Sequence, residues 1–154
     1  MNLTAIINEL ETWIPKRELF NKEVTNSSIG WQISHSLKVI NGVAKLLPKS
    51  NPADYKWQFN FARILILTTG NIPRGRAKAP KIVQPKEDEM TEDNLQELFA
   101  ETKKNLAIAL KTPPKAHFDH PYFGLLKRDK AFRFLAIHTR HHLKIIEDVA
   151  KRMN

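Results

Sequence analysis

Apolar residues recur along this chain at intervals of three and four, a spacing that predicts helices rather than strands. The clearest run is KAFRFLAIHTRHHLKIIEDVAKRM, from Lys130 to Met153, uninterrupted by Pro or Gly and preceded by Asp129 as a potential N-cap. Wound at about 100° per residue, Ala131, Leu135, Ile145, Ile146, Val149 and Met153 gather on one face. Arg133, Arg140, Lys144, Glu147 and Lys151 fall opposite. His138 and His142 stand in the middle of the apolar face, one turn apart, and His141 lies at its margin among the charged residues.

The rest of the chain reads in the same way. Residues 4–14 predict a first helix, with Thr4 as cap, an apolar side of Ile6, Ile7, Leu10, Trp13 and Ile14, and Pro15 as its stop. Residues 16–28 are polar and predict a loop with a turn of helix. A second helix runs over 29–47 behind Ser27 or Ser28 and before Pro48, with His35 at the edge of its apolar arc. A third spans 53–69; ILILTT could be a strand by itself, but the whole segment, the most apolar of the chain, reads as a buried helix. Residues 70–90 form a long irregular stretch, and a fourth helix covers 92–111, capped by Thr91 and ended by Pro113 and Pro114. The segment PPKAHFDHPYFGLL then leads into the last helix. No alternating strand pattern and no internal repeat is visible. The expectation is an all-α helical bundle with at least one crossover, forming one domain over residues 1–154.

Composition narrows the chemistry. The chain has 154 residues, 42% of them hydrophobic, enough for a core of its own. It has no cysteine. It therefore supplies no thiol nucleophile, disulfide or Cys-containing zinc site, and a metal would have to be held by His, carboxylates and water. The start, MNLTAIINELETW, carries acids where a signal peptide would be basic, and no apolar run is long enough to span a membrane, so a cytoplasmic location is expected. The formal charge is +9, from 25 Lys+Arg against 16 Asp+Glu. The basic residues are spread along the whole chain without a nucleic-acid-binding signature, so a generally basic surface is expected rather than a nucleic-acid partner.

Two imidazoles inside a bundle cost desolvation unless their nitrogens are satisfied. Hydrogen bonds to neighbouring helices would satisfy them. So would a shared metal ion, because an i, i+4 pair on one helical face is how two histidines reach one cation. From spacing alone both readings stay open. The loop over 70–90 concentrates Arg74, Arg76, Lys78 and Lys81, with Ile72, Ile82 and Val83 to pack it; it is expected to fold over a site and present cations to an anionic substrate. His120, just before Pro121, is a candidate for the rim of a pocket, and Trp31, one turn before His35, for substrate contact. No GxGxxG, Walker loop, GxSxG or HExxH is present.

Four segments occur in order: GWQISHSLKVI at 30–40, IPRGRAKAP at 72–80, HPYFGLL at 120–126 and IHTRHHLKII at 137–146. Together they resemble the DinB-like (DinB/YfiT) superfamily of metal-dependent four-helix-bundle proteins, in a branch with HPxFG and HxxHH motifs. The resemblance runs from about residue 28 onward. It implies an up-down-down-up four-helix bundle, here with a short extra N-terminal helix and a long crossover loop. It also implies a metal held by one histidine on the second long helix and two on the last, which by position are His35, His138 and His142. Several relatives are thiol S-transferases that use low-molecular-weight thiols, one is a glutathione-dependent maleylpyruvate isomerase, and homodimers are common among them. The resemblance thus implies a small-molecule substrate, with S-transferase-like or hydrolase-like chemistry on an activated thiol or water. Zinc is the first metal expected and nickel the second, since all-histidine sites suit both. The other reading is a non-catalytic module with a structural or vestigial metal. His120, His141 and Glu147 are the candidates for a general base.

Overall fold

A computed structural model describes residues 2–75 and 79–153. In chain order the elements are α1 (Leu3–Glu11), α2 (Ile29–Leu46), α3 (Phe61–Thr69), α4 (Glu92–Ala109), the strands β1 (His117–His120) and β2 (Gly124–Lys127), and α5 (Arg128–Met153). Short 3-10 turns cover Ile14–Lys16, Leu47–Lys49, Pro52–Asp54, Lys81–Val83 and Asp88–Met90. No helix among the described residues is long and apolar enough to cross a membrane.

The long helices begin where their caps allow. Ser28 Oγ accepts from the Trp31 N–H at 3.2 Å, and Thr91 Oγ1 from the Asn94 N–H at 3.4 Å. For α1 the cap is Asn2 rather than Thr4, its side chain accepting from the N–H groups of Thr4 and Ala5. The last helix starts at Arg128, whose N–H is taken by the Ala116 carbonyl at 2.7 Å. α2 packs against both α4 and α5, and α1 packs against α5. Ile29, Ile33, Leu37, Ile40, Leu95, Phe99, Leu135, Leu143, Ile146 and Val149 are almost wholly buried among them. The expected helical periodicities thus build the core.

The expectation of an all-α four-helix bundle does not hold. β1 and β2 pair as a two-stranded antiparallel sheet, with His117 opposite Lys127, Phe118 opposite Leu126, Asp119 opposite Leu125 and His120 opposite Gly124. The turn residues are Pro121, Tyr122 and Phe123, and Gly124 takes φ 63°, the left-handed conformation that closes a three-residue hairpin loop. Within β1 only Phe118 is buried. So short a strand carries too little alternation to be read against the helical background.

The third helix also departs from expectation. It covers only Phe61–Thr69, because Asn60 accepts from the Arg63 N–H at 2.8 Å and starts it late, while Gly70 (φ 67°) stops it. Nor is the helix buried: Phe61, Ile64 and Leu65 are 68%, 42% and 47% exposed, as are Trp57 and Phe59 ahead of it at 67% and 69%. Its anchor is polar. Buried Arg63 donates to the carbonyls of Phe123 and Leu125 at 3.2 and 3.1 Å, and to that of Gln58, which ties α3 to the hairpin.

Candidate metal centre

α2 crosses α5 so that His35 meets the i, i+4 pair of the last helix. One ring nitrogen from each of His35, His138 and His142 lies within 4.8 Å of the others. His35 and His142 are buried, and His138 is half-buried and lines the adjoining cavity. Ring centroids stand 5.2 Å (His35–His138), 4.7 Å (His35–His142) and 4.5 Å (His138–His142) apart. Trp31 stacks on the outer face of His35 at 4.8 Å and 13° between planes.

Neighbours fix the tautomers of two of the three rings. His35 Nδ1 lies 2.8 Å from the Val83 carbonyl, which only accepts, so Nδ1 carries the hydrogen and Nε2 is bare. His142 Nδ1 lies 2.6 Å from Gln32 Oε1, and the Gln32 amide nitrogen is directed to Thr25 Oγ1 at 3.4 Å. His142 Nε2 is therefore bare as well. Without a metal it can only accept, from His138 Nε2–H at 3.3 Å, while His138 Nδ1 is buried without a partner. Burial disfavours an added proton on any of these rings. Burial pushes the pKa of His138 and of His142 well below 6.5, and each is lowered further by the other imidazoles. For His35 burial again dominates, opposed by the bond to Val83. Neutral imidazoles with ring nitrogens turned together, two of them bare and orientated from behind, are a donor set that a divalent cation satisfies. Three nearby histidines can thus bind a metal ion. No fourth His, Cys, Asp or Glu joins the group among the described residues.

A cavity of about 1100 Å³ opens beside the cluster. Its walls include Trp31, Ile72, Val83, Phe118, Phe123 and Phe134. The segment expected to fold over a site is present there in its described part. Val83 holds His35, Lys38 Nζ donates to the Gln84 carbonyl at 3.3 Å and pairs with Glu89 at 2.8 Å, and Ile72 and Val83 are half-buried. Ile82, expected to help pack the segment, is instead 84% exposed. Arg74 does not line the cavity; it pairs with Asp148 of α5 at 2.7 Å on the surface. Arg76 and Lys78 lie outside the described residues.

The remaining candidates separate. His120 lines the cavity, stacked on Phe123 at 4.4 Å and edge-on to Phe134 at 4.6 Å. His141 also lines it and meets His142 edge-on at 5.1 Å; its pKa is lowered by burial and then by Arg74, with a hydrogen bond to the Ile72 backbone pulling the other way. Glu147 is half-buried and not part of the lining, and His117 lies against Tyr55, away from it. Two orientating groups escape a reading of the sequence. Gln32 had a signal, being a polar residue between Ile29 and Ile33 on an apolar arc. The Val83 carbonyl had none, because it is backbone. Compared with known protein families, with curated proteins and with solved structures, the chain matches none.

Proposed function

We propose that His35, His138 and His142 hold one divalent metal ion, zinc before nickel, and that the chain is a metal-dependent enzyme acting on a small, largely apolar molecule. When bound, the ion supplies Lewis-acid activation of a thiol or of water. With no cysteine in the chain, a thiol would come from a low-molecular-weight cosubstrate.

The observation that carries the reading is the convergence of one ring nitrogen from each of His35, His138 and His142 to within 4.8 Å of one another, with His35 and His142 each held from behind through Nδ1. The absence of a fourth protein ligand among the described residues, next to a cavity of about 1100 Å³, favours an open site over a closed structural one.

The chain's own groups have defined tasks. Gln32 and the Val83 carbonyl hold His142 and His35 in the tautomers that present Nε2. Trp31 keeps water from the outer face of His35 by stacking on it. Phe134, 5.6 Å from His138, walls the site on the cavity side.

Cobalt loading tests this reading. On addition of a low-molecular-weight thiol, the cobalt protein should develop a sulfur-to-metal charge-transfer band that is absent from His35→Ala, His138→Ala and His142→Ala. A wild type that takes up cobalt but shows no such band leaves only the water-activating branch. A wild type that takes up no metal ends the proposal.

A further inference from the structure

The turn between the strands holds a histidine whose hydrogen-bonding state is set by backbone. His120 Nδ1 lies 3.1 Å from the Tyr122 nitrogen and 3.2 Å from the Phe123 nitrogen. Both are N–H donors, so Nδ1 must accept and the ring hydrogen must sit on Nε2. The left-handed Gly124 closes the turn that aims both N–H groups back at the ring. The ring is clamped between Phe123, stacked at 4.4 Å and 13°, and the edge of Phe134 at 4.6 Å and 74°. Phe134 in turn touches His138, which places His120 one aromatic ring away from the three-histidine cluster on the wall of the same cavity.

We propose that His120 is a fixed, neutral hydrogen-bond donor, through Nε2–H, to the oxygen of a carbonyl-bearing and otherwise apolar molecule held in this cavity. The proposal rests on reading the cavity as the substrate site. In this tautomer His120 cannot take up a proton at Nδ1 without losing two backbone bonds, so it orientates an acceptor and does not serve as a base. Burial acts in the same sense, pushing its pKa down to about 4 against the pull of Asp119. The rings that touch it, Phe118, Tyr122, Phe123 and Phe134, are aromatic, and no cation among the described residues contacts it, so this part of the wall suits the oxygen of an uncharged carbonyl.

The test uses acetophenone as probe and ethylbenzene as its oxygen-free counterpart, titrated into zinc-loaded and metal-free protein. His120→Phe keeps the stacked ring and removes the donor; His120→Gln keeps an N–H near the position of Nε2. Acetophenone should bind roughly threefold to tenfold more weakly to His120→Phe, with ethylbenzene unchanged and His120→Gln retaining most of the affinity. Nitrogen-15 spectra of the wild type should show His120 protonated at Nε2 at neutral pH, with that proton moving downfield when acetophenone is added. Equal losses for both probes, protonation at Nδ1, or no acetophenone binding to the wild type would each overturn the proposal. The tautomer measurement needs no variant, so it stands even where His120→Phe fails to fold. If the protein takes up no zinc but the metal-free form still discriminates the two probes at His120, the metal reading fails and this one stands.

Discussion

Replacing Gln32 by Leu tests the orientation of the site without touching a ligand. Gln32 is 3% exposed, and its Oε1 receives His142 Nδ1–H at 2.6 Å. Leu has a similar volume and no acceptor, so the buried Nδ1–H loses its partner, at a cost of about 1–3 kcal/mol. The imidazole escapes that cost by moving its proton to Nε2, the atom that faces His138 at 3.3 Å. A metal must then reverse the tautomer before it can bind. Loss of such an orientating partner weakens metal affinity about 10–100-fold, or roughly 1.4–2.7 kcal/mol. Gln32→Glu, which keeps an acceptor and adds charge, should hold the affinity at or above the wild type. Zinc titration against a competing chelator at neutral pH measures all three proteins. Zinc binding by Gln32→Leu within about twofold of the wild type, well below the loss expected for such a partner, would refute the reasoning.

Three further outcomes follow from the same geometry. His141→Ala should keep zinc, because this ring meets His142 only edge-on and holds the Ile72 backbone; zinc lost from this variant and kept by His142→Ala would reverse the assignment on α5. The metal-free protein should lose stability as pH falls below about 6.5, because His35, His138, His141, His142 and His120 have lowered pKa values in the fold while the unfolded chain protonates them there. Stability should be full above that pH, and a urea midpoint unchanged between neutrality and about pH 5 would contradict the shifts. Gly124→Ala forces a Cβ into the left-handed region at φ 63° and should cost about 1–2 kcal/mol in thermal unfolding, with the hairpin and His120 the parts most disturbed.

What could be read in the sequence follows from how far each signal travels along the chain. The helices α2, α4 and α5 were legible because their apolar spacing is sustained over several turns and their caps, Ser28 and Thr91 among them, are local. The i, i+4 placement of His138 and His142 on an apolar face was equally local. His35 was not, since only the crossing of α2 with α5 brings it to the pair. The third helix was misread because the apolar content of 53–69 was taken for burial. Trp57 and Phe59 ahead of the helix and Phe61 within it are exposed, while the residue that anchors it is the arginine at 63. The hairpin was missed because its two strands are four residues each and their pairing is a contact between segments. Arg74 looked like a substrate contact from charge density alone, and a single ion pair with Asp148 redirects it.

The most direct test of the central claim is elemental analysis of the purified protein after exposure to zinc at neutral pH, on the wild type and on His35→Ala, His138→Ala and His142→Ala. One zinc ion per chain is expected in the wild type and none in any of the three variants, each of them folded by circular dichroism. A wild type without zinc, or a folded variant that keeps its zinc as tightly as the wild type, would contradict it.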